Sequence, residues 1–253
     1  NKYLKNIDPK TIVLNGDILD IWQFSKRSWN KYHTKVIKQL LNFITKGTKV
    51  HYIAGNHDEA IRRFLNFELQ GFKITNKLSL ELNGKKAWFF HGDVFDVTMQ
   101  HSRWLTRLGG FGYDLLILIN SIVNKILVFF GREKLSFSKT IKNKVKAAVS
   151  FINKFETTVT NIALKNQFDY VICGHIHQPC IKKIDSKNGS ITYLNSGDWV
   201  ENMTALEYNN NKWTLFQYDE KLFKNEEFDE NEYKNTKTLF SDLLAEININ
   251  TNN

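Results

Sequence analysis

Disulfides, membrane spans and repeats are all missing from this sequence. Two cysteines in 253 residues, Cys173 and Cys180, give no disulfide framework and suit a reducing cytosol, each as a small buried or half-buried side chain. Nor is there a stretch of about 20 apolar residues with few charges, as a bilayer-spanning helix needs. The nearest approach, residues 113–130, is interrupted by Asp114, Asn120, Asn124 and Lys125. No internal repeat is found, so one domain with insertions, or a domain with a cap, is expected at this length. Neither an initiator Met nor a signal peptide opens the chain. Tyr3-Leu4 and Ile7 read as the end of a helix before a strand, and the expectation is that a segment precedes Asn1.

The hydrophobic fraction of 42% and aromatic fraction of 13% are those of a folded globular protein. A chain of this length buries about three quarters of its unfolded surface and needs no staples. The formal charge of +9 is unevenly spread. Residues 219–253 carry nine acidic and four basic groups, net −5, while the remaining 218 carry 31 basic and 17 acidic, net +14. A basic body of that size favours anionic partners or simply confers solubility.

The first half alternates strand and helix patterns, which argues for a layered α/β fold. Residues 11–15 are a short apolar run, 31–46 carry a helix stripe at Val36, Ile37, Leu40, Leu41 and Ile44 stopped by Gly47, and 50–54 are the next strand. Residues 78–82 and 86–90 flank Asn83-Gly84 as a hairpin with a two-residue turn. Strands resume at 170–173, 191–194, 204–208 and 213–218, followed by a polar, acidic tail from 219 with one short helix at 237–247. Between the halves, about 97–167, lies a helical insertion. Its second part, 138–167, places Ile141, Val145, Val149, Ile152, Phe155, Val159 and Ile162 at three- and four-residue steps, with Lys139, Lys142, Lys144 and Lys146 near its start.

Four blocks follow apolar strands: Gly16-Asp17, Gly55-Asn56-His57-Asp58, His91-Gly92-Asp93 and Gly174-His175-Ile176-His177. Singly each is a turn or a structural residue. Together they are the oxygen and imidazole set of a metal site. Asp17 is suited to bridge two cations; Asn56, His91, His175 and His177 add neutral ligands. His57 is placed to touch a phosphoryl oxygen or to protonate a leaving group as general acid. Asp58 and Asp93 read either as partners that fix imidazole tautomers or as turn and helix caps. His33 and His51 read as structural or exposed, and His101 as a surface residue near the third block.

These four blocks resemble the second to fifth motifs of the calcineurin-like metallophosphoesterase superfamily. The resemblance implies two mixed sheets flanked by helices, two divalent metal ions, and Asp17, Asn56, His91, His175 and His177 as ligands. The superfamily's first motif, Asp-x-His on the first strand, has no counterpart here and is expected upstream of Asn1. The metallophosphoesterase domain is then 1–218 without that strand, with a lid at about 97–167 and a tail at 219–253.

Within the superfamily the chain is most similar to the UDP-2,3-diacylglucosamine diphosphatases and their close bacterial relatives. The residues that carry this are His91-Gly92-Asp93 with Asp96, His175-Ile176-His177-Gln178-Pro179, Asn195-Ser196-Gly197-Asp198-Trp199-Val200-Glu201, and the helical insertion. That likeness implies release of UMP from a lipid-linked nucleotide phosphoanhydride in lipid A biosynthesis, manganese as the metal, and a cytoplasmic enzyme peripheral to the inner membrane. Studied members carry Arg after the metal-binding Asn, where His57 stands here, as in the wider superfamily. The apolar residues 115–119 and 122–130 beside a basic run from Arg132 to Lys146 suit a lipid with an anionic head or an anionic membrane surface; the alternative is that 113–130 pack as core. Arg62, Arg63, Arg103 and Arg107 are candidate pyrophosphate clamps, since guanidinium matches phosphate bidentately. Nucleic acid is not expected as a partner, because its grooves interleave aromatics with Lys and Arg. The rival readings are a soluble nucleotide phosphodiesterase or nuclease of the same superfamily, and a noncatalytic interaction scaffold.

Overall fold

The computed structural model describes residues 1–21, 29–95, 137–187 and 189–223, with the backbone alone for 137–148. Of the expected lid at about 97–167, residues 97–136, with His101, Arg103 and Arg107, lie outside the described residues, as does the helix at 237–247. Helix α1 (Lys2–Lys5) leads into β1 (Thr11–Asn15), α2 (Lys31–Thr45) and β2 (Lys49–Ile53). A 3-10 turn (Glu59–Phe64) precedes β3 (Glu68–Leu69), β4 (Phe72–Thr75), β5 (Lys77–Leu82) and β6 (Lys85–Phe90). Then come α3 (Phe137–Lys165), β7 (Tyr170–Cys173), β8 (Cys180–Ser186), β9 (Gly189–Asn195), β10 (Thr204–Asn209) and β11 (Lys212–Gln217).

The strands form two mixed sheets and a ribbon. The first sheet runs β1-β2-β4-β3, with β1, β2 and β4 parallel and β3 antiparallel. The second runs β5-β6-β7-β9-β8, with β6, β7 and β9 parallel inside antiparallel edges. This is the α/β sandwich expected from the sequence. Asn83 and Gly84 turn the β5–β6 hairpin at φ 51° and 78°, the left-handed pair that a two-residue turn requires.

Strand alternation sorts the apolar residues onto two faces. Phe89, Ile172 and Leu194 point with Ala87 and Tyr170 toward Ile53 and Val13 of the first sheet, making the core between the sheets. Their neighbours Phe90, Val171 and Tyr193 point the other way, onto Phe155, Val159 and Ala163 of α3. The buried line of α3 therefore runs through 155, 159 and 163, and two members of the expected stripe, Val149 and Ile162, are exposed. α2 covers the first sheet with Leu40 and Phe43 buried. Its start is a capping box: the Asn30 side chain accepts from the Tyr32 and His33 N–H groups, and His33 Nδ1 accepts from the Asn30 N–H at 3.1 Å. His33 is thus structural.

Three strands went unpredicted. β3 and β4 have two and four residues, too short for a period to show. β8 is an edge strand, and Lys182 and Lys183 break its alternation. Among the described residues, no helix is long and apolar enough to cross a membrane.

Phe155 is fully buried where α3 meets the second sheet. Phe155→Ala is expected to cost about 3–5 kcal/mol, read as a lowered denaturant midpoint at unchanged slope. A loss under about 1 kcal/mol would mean that α3 does not seat there.

Candidate metal centre

All four blocks leave the carboxyl ends of parallel strands: β1 ends at Gly16-Asp17, β2 at Gly55 to Asp58, β6 at His91 to Asp93, and β7 at Gly174 to His177. Such ends are where open α/β sheets place ligand loops. Backbone bonds lace them together. The Gly174 N–H donates to the His91 carbonyl at 3.0 Å and the Ser196 N–H to the Cys173 carbonyl at 3.0 Å.

His91 is the hub. Its side chain is 2% exposed, and Nδ1 lies 2.9 Å from the Asn15 carbonyl of the other sheet. Nε2 lies 3.0 Å from Asp17 Oδ2 and 3.2 Å from Asn56 Oδ1. The His175 ring stands with its centroid 5.2 Å from that of His91, at 72°. One ligand atom each from Asp17, His91 and His175 falls within 4.8 Å of the others.

Close approach dictates the glycines. A Cβ on Gly16, at φ 77°, would stand 2.2 Å from His91 Nδ1, and one on Gly55 would stand 2.2 Å from Asp17 Oδ1. Asp17 and His175 are themselves in the left-handed region, at φ 54° each, and His177 at 49°. Non-glycine residues rarely adopt it, and such strain clusters at functional sites.

The electrostatics follow from this crowding. Burial alone would raise the Asp17 carboxyl, but the hydrogen bond and charge of His91 and the His57 N–H, 2.8 Å from Oδ1, outweigh it and hold it at about 2. Burial would lower the His91 imidazole, yet Asp17, the Asn15 carbonyl and Asp93 raise it. With Nδ1–H donating to Asn15, the Nε2 lone pair faces two oxygen acceptors. A proton or a cation between them satisfies that arrangement. The donor set therefore fits a divalent ion.

His177 stands apart from this group. Its side chain is 51% exposed, with Nδ1 3.8 Å from Asp198 Oδ2. His57 is 48% exposed, with Nδ1 3.4 Å from Asp20 Oδ1. Asp58, fully buried, accepts from the Gly55 N–H, the Ile18 N–H at 3.0 Å and the Tyr52 hydroxyl, so it ties the first block to the second. Asp93 holds Arg62 Nη2 at 2.6 Å. The hydrogen bonds of these two carboxylates thus run to backbone, phenol and guanidinium rather than to imidazoles. Arg62 is ion-paired and partly exposed, and Arg63 is exposed.

Sequence reasoning gave no role to Tyr52, and counted Asn195 only toward the family likeness. Asn195 is fully buried at the end of β9; its Nδ2 donates to the Gly174 carbonyl at 2.7 Å and its Oδ1 accepts from the Gly197 N–H at 2.9 Å. It holds the β7 and β9 loops in one piece. A polar residue closing an apolar strand, as in the other blocks, was the available signal.

A family model described as calcineurin-like phosphoesterase matches residues 1–179. A UDP-2,3-diacylglucosamine hydrolase of Aliivibrio fischeri is 20% identical over 223 residues, 83% of this chain and 85% of that protein. One of Blochmanniella pennsylvanica is 26% identical over 205 residues, 79% of each chain. Among solved structures, an archaeal phosphodiesterase aligns at a TM-score of 0.39 and 12% identity, covering 86% of this chain and 88% of its own.

Asp58→Ala would strip acceptors from two backbone N–H groups and the Tyr52 hydroxyl. Each buried orphan costs about 1–3 kcal/mol, so a loss of at least about 3 kcal/mol in unfolding free energy is expected, against about 1 for Tyr52→Phe. Equal losses for the two variants would show that Asp58 does not join the blocks.

Proposed function

The chain belongs to the calcineurin-like phosphoesterase family, and from that membership we propose that it is a divalent-metal-dependent hydrolase of UDP-2,3-diacylglucosamine, releasing UMP and 2,3-diacylglucosamine 1-phosphate. The family is one of metallophosphoesterases, and the observation that carries the reading is the convergence of Asp17, His91 and His175. The hydrolases of that substrate among its relatives support the choice of phosphoanhydride.

Asp17, Asn56, His91 and His175 would hold the cation, with His177 joining them and Asp17 shared between two ions, manganese being the proposed metal. Such a pair supplies a clamp for phosphoryl oxygens and a water acidic enough to attack near neutral pH. The chain's own groups do the rest. The His57 N–H fixes Asp17, and the His57 imidazole, with Nδ1 toward Asp20, keeps Nε2 for the substrate as proton donor to the leaving oxygen. Arg62, with one nitrogen on Asp93, and the exposed Arg63 lie just past the second block and are proposed, with Arg103 and Arg107, to bind the pyrophosphate. Of the insertion at about 97–167, the part ahead of the α3 face that packs on the second sheet is proposed as a lid for the acyl chains. The excess of basic groups over residues 1–218 supports peripheral contact with an anionic membrane face.

Two measurements on the full-length protein test this. Asp17→Ala or His175→Ala is expected to abolish hydrolysis and lower bound metal, whereas His57→Gln should lower kcat by about 10²–10⁴ with metal content intact. Full activity in the Asp17 or His175 variant would remove those residues from the site, and a His57 loss under about fivefold would remove its role.

Acyl chains should count heavily in substrate choice. Burial is worth about 0.8 kcal/mol per methylene, so a few methylenes change kcat/KM by tenfold or more. UDP-2,3-diacylglucosamine should be preferred over UDP-N-acetylglucosamine by at least about 100-fold, and charged substitutions at Leu116 or Ile119 should erode that preference. Equal rates on the two, or efficient cutting of DNA, would favour a soluble phosphodiesterase.

A further inference from the structure

The β9–β10 connection is built around one carboxylate. Asp198 Oδ1 accepts from the N–H groups of Val200 at 2.8 Å, Glu201 at 2.6 Å and Asn202 at 3.3 Å. Its Oδ2 takes the Asn202 side-chain amide and faces His177 Nδ1 at 3.8 Å. The same Asn202 amide donates to the His177 carbonyl at 3.1 Å. The loop is fastened elsewhere too: the Thr204 N–H donates to the Asp198 carbonyl at 3.1 Å and Gln217 Nε2 to the Asn202 carbonyl at 2.6 Å. Asp198 is 9% exposed, yet its second oxygen is aimed at an imidazole 51% exposed and held at φ 49°.

We propose that Asp198 and Asn202 are positioning residues for His177. Asn202 holds the strained His177 backbone by its carbonyl, and Asp198 Oδ2 accepts from the ring Nδ1–H, which leaves the Nε2 lone pair free to bind a cation. The inference rests on the metal-dependent reading above. Oδ1 alone caps the turn; Oδ2, besides taking the Asn202 amide, is the oxygen that faces the ring. An approach of about 1 Å turns the 3.8 Å contact into a hydrogen bond. A carboxylate on the far nitrogen fixes tautomer and ring orientation, and its loss weakens metal binding by about 10–100-fold. The blocks are thereby held in two ways. His91 is fixed by a backbone carbonyl from the opposite sheet and His177 by a loop on its own sheet.

Asp198→Asn keeps an oxygen for the three N–H groups but can offer an NH2 where the ring needs an acceptor. Mn2+ affinity measured by titration calorimetry on the full-length, metal-free protein should fall about 10–100-fold, with the apo protein still unfolding in one cooperative transition. Imidazole 15N shifts of the metal-free protein at pH 8 should move His177 from the Nδ1–H to the Nε2–H tautomer. In a His177→Ala background the same substitution should have no further effect on affinity. Unchanged affinity, an unchanged tautomer, or a loss as large without His177 as with it overturns the proposal. If Asp198→Asn does not fold, the cycle is run with Asn202→Ala, where a loss of affinity that needs His177 is again expected. Wild-type protein that binds no Mn2+ would instead overturn the metal-dependent reading itself.

Discussion

Three lone-pair atoms face each other at one buried imidazole: Nε2 of His91, Asp17 Oδ2 and Asn56 Oδ1, with the Asn15 carbonyl already using the ring's other nitrogen. Left to itself such a group is mutually repulsive, so the fold has to hold it by force of packing. That requirement explains much around it. It explains why glycine stands at positions 16 and 55, where any Cβ would collide with the group. It also explains why Asp17 and His175 are kept in a backbone region that most residues avoid. Positive charge at its centre, a proton or a cation, relieves the repulsion, and the donor set suits a divalent ion.

The packing that holds it comes from two directions. Between the sheets, Ile53, Phe89, Ile172 and Leu194 fix the ends of β2, β6, β7 and β9 at one level. On the outer face, Phe90, Val171 and Tyr193 are pinned by α3. Adjacent residues of the same strands serve both cores, so the last residues of β6 and β7 have little freedom before His91 and Gly174. Buried polar residues then finish the alignment: Asp58 joins the β1 and β2 loops, and Asn195 joins those of β7 and β9.

Much of this was legible in the sequence, and for identifiable reasons. Strands β1 and β7 and the β5–β6 hairpin were placed by short apolar runs and an Asn-Gly turn. The four blocks were found because each follows such a run. What could not be read was register in space. The steps of α3 gave a stripe that includes Phe155 and Val159, which the sheet buries, but also Val149 and Ile162, which are exposed, while the third sheet contact is Ala163. Asp58 and Asp93 read in sequence either as partners for imidazoles or as caps; Asp58 does accept backbone N–H groups, but Tyr52 and Arg62, the side chains that meet these carboxylates, face them only in the folded chain. His175 and His177 share one motif and one backbone conformation, but burial separates them, and burial is a property of the neighbours.

The parallel pairing of β6 with β7 brings together residues far apart in sequence, as in the Lys86–Asp169 contact across 83 positions. His91 and His175 can meet only once that long excursion of chain has closed. The entropy of closing it grows only with the logarithm of its length, so doubling the stretch adds only about 0.6 kcal/mol. Insertions and deletions ahead of α3, whose Phe155, Val159 and Ala163 pin β6 and β7, leave the strand ends, and the chemistry on them, almost untouched. The part of the excursion ahead of α3 is therefore where a lineage of such proteins can change length and diverge in what it recognises while inheriting the same centre.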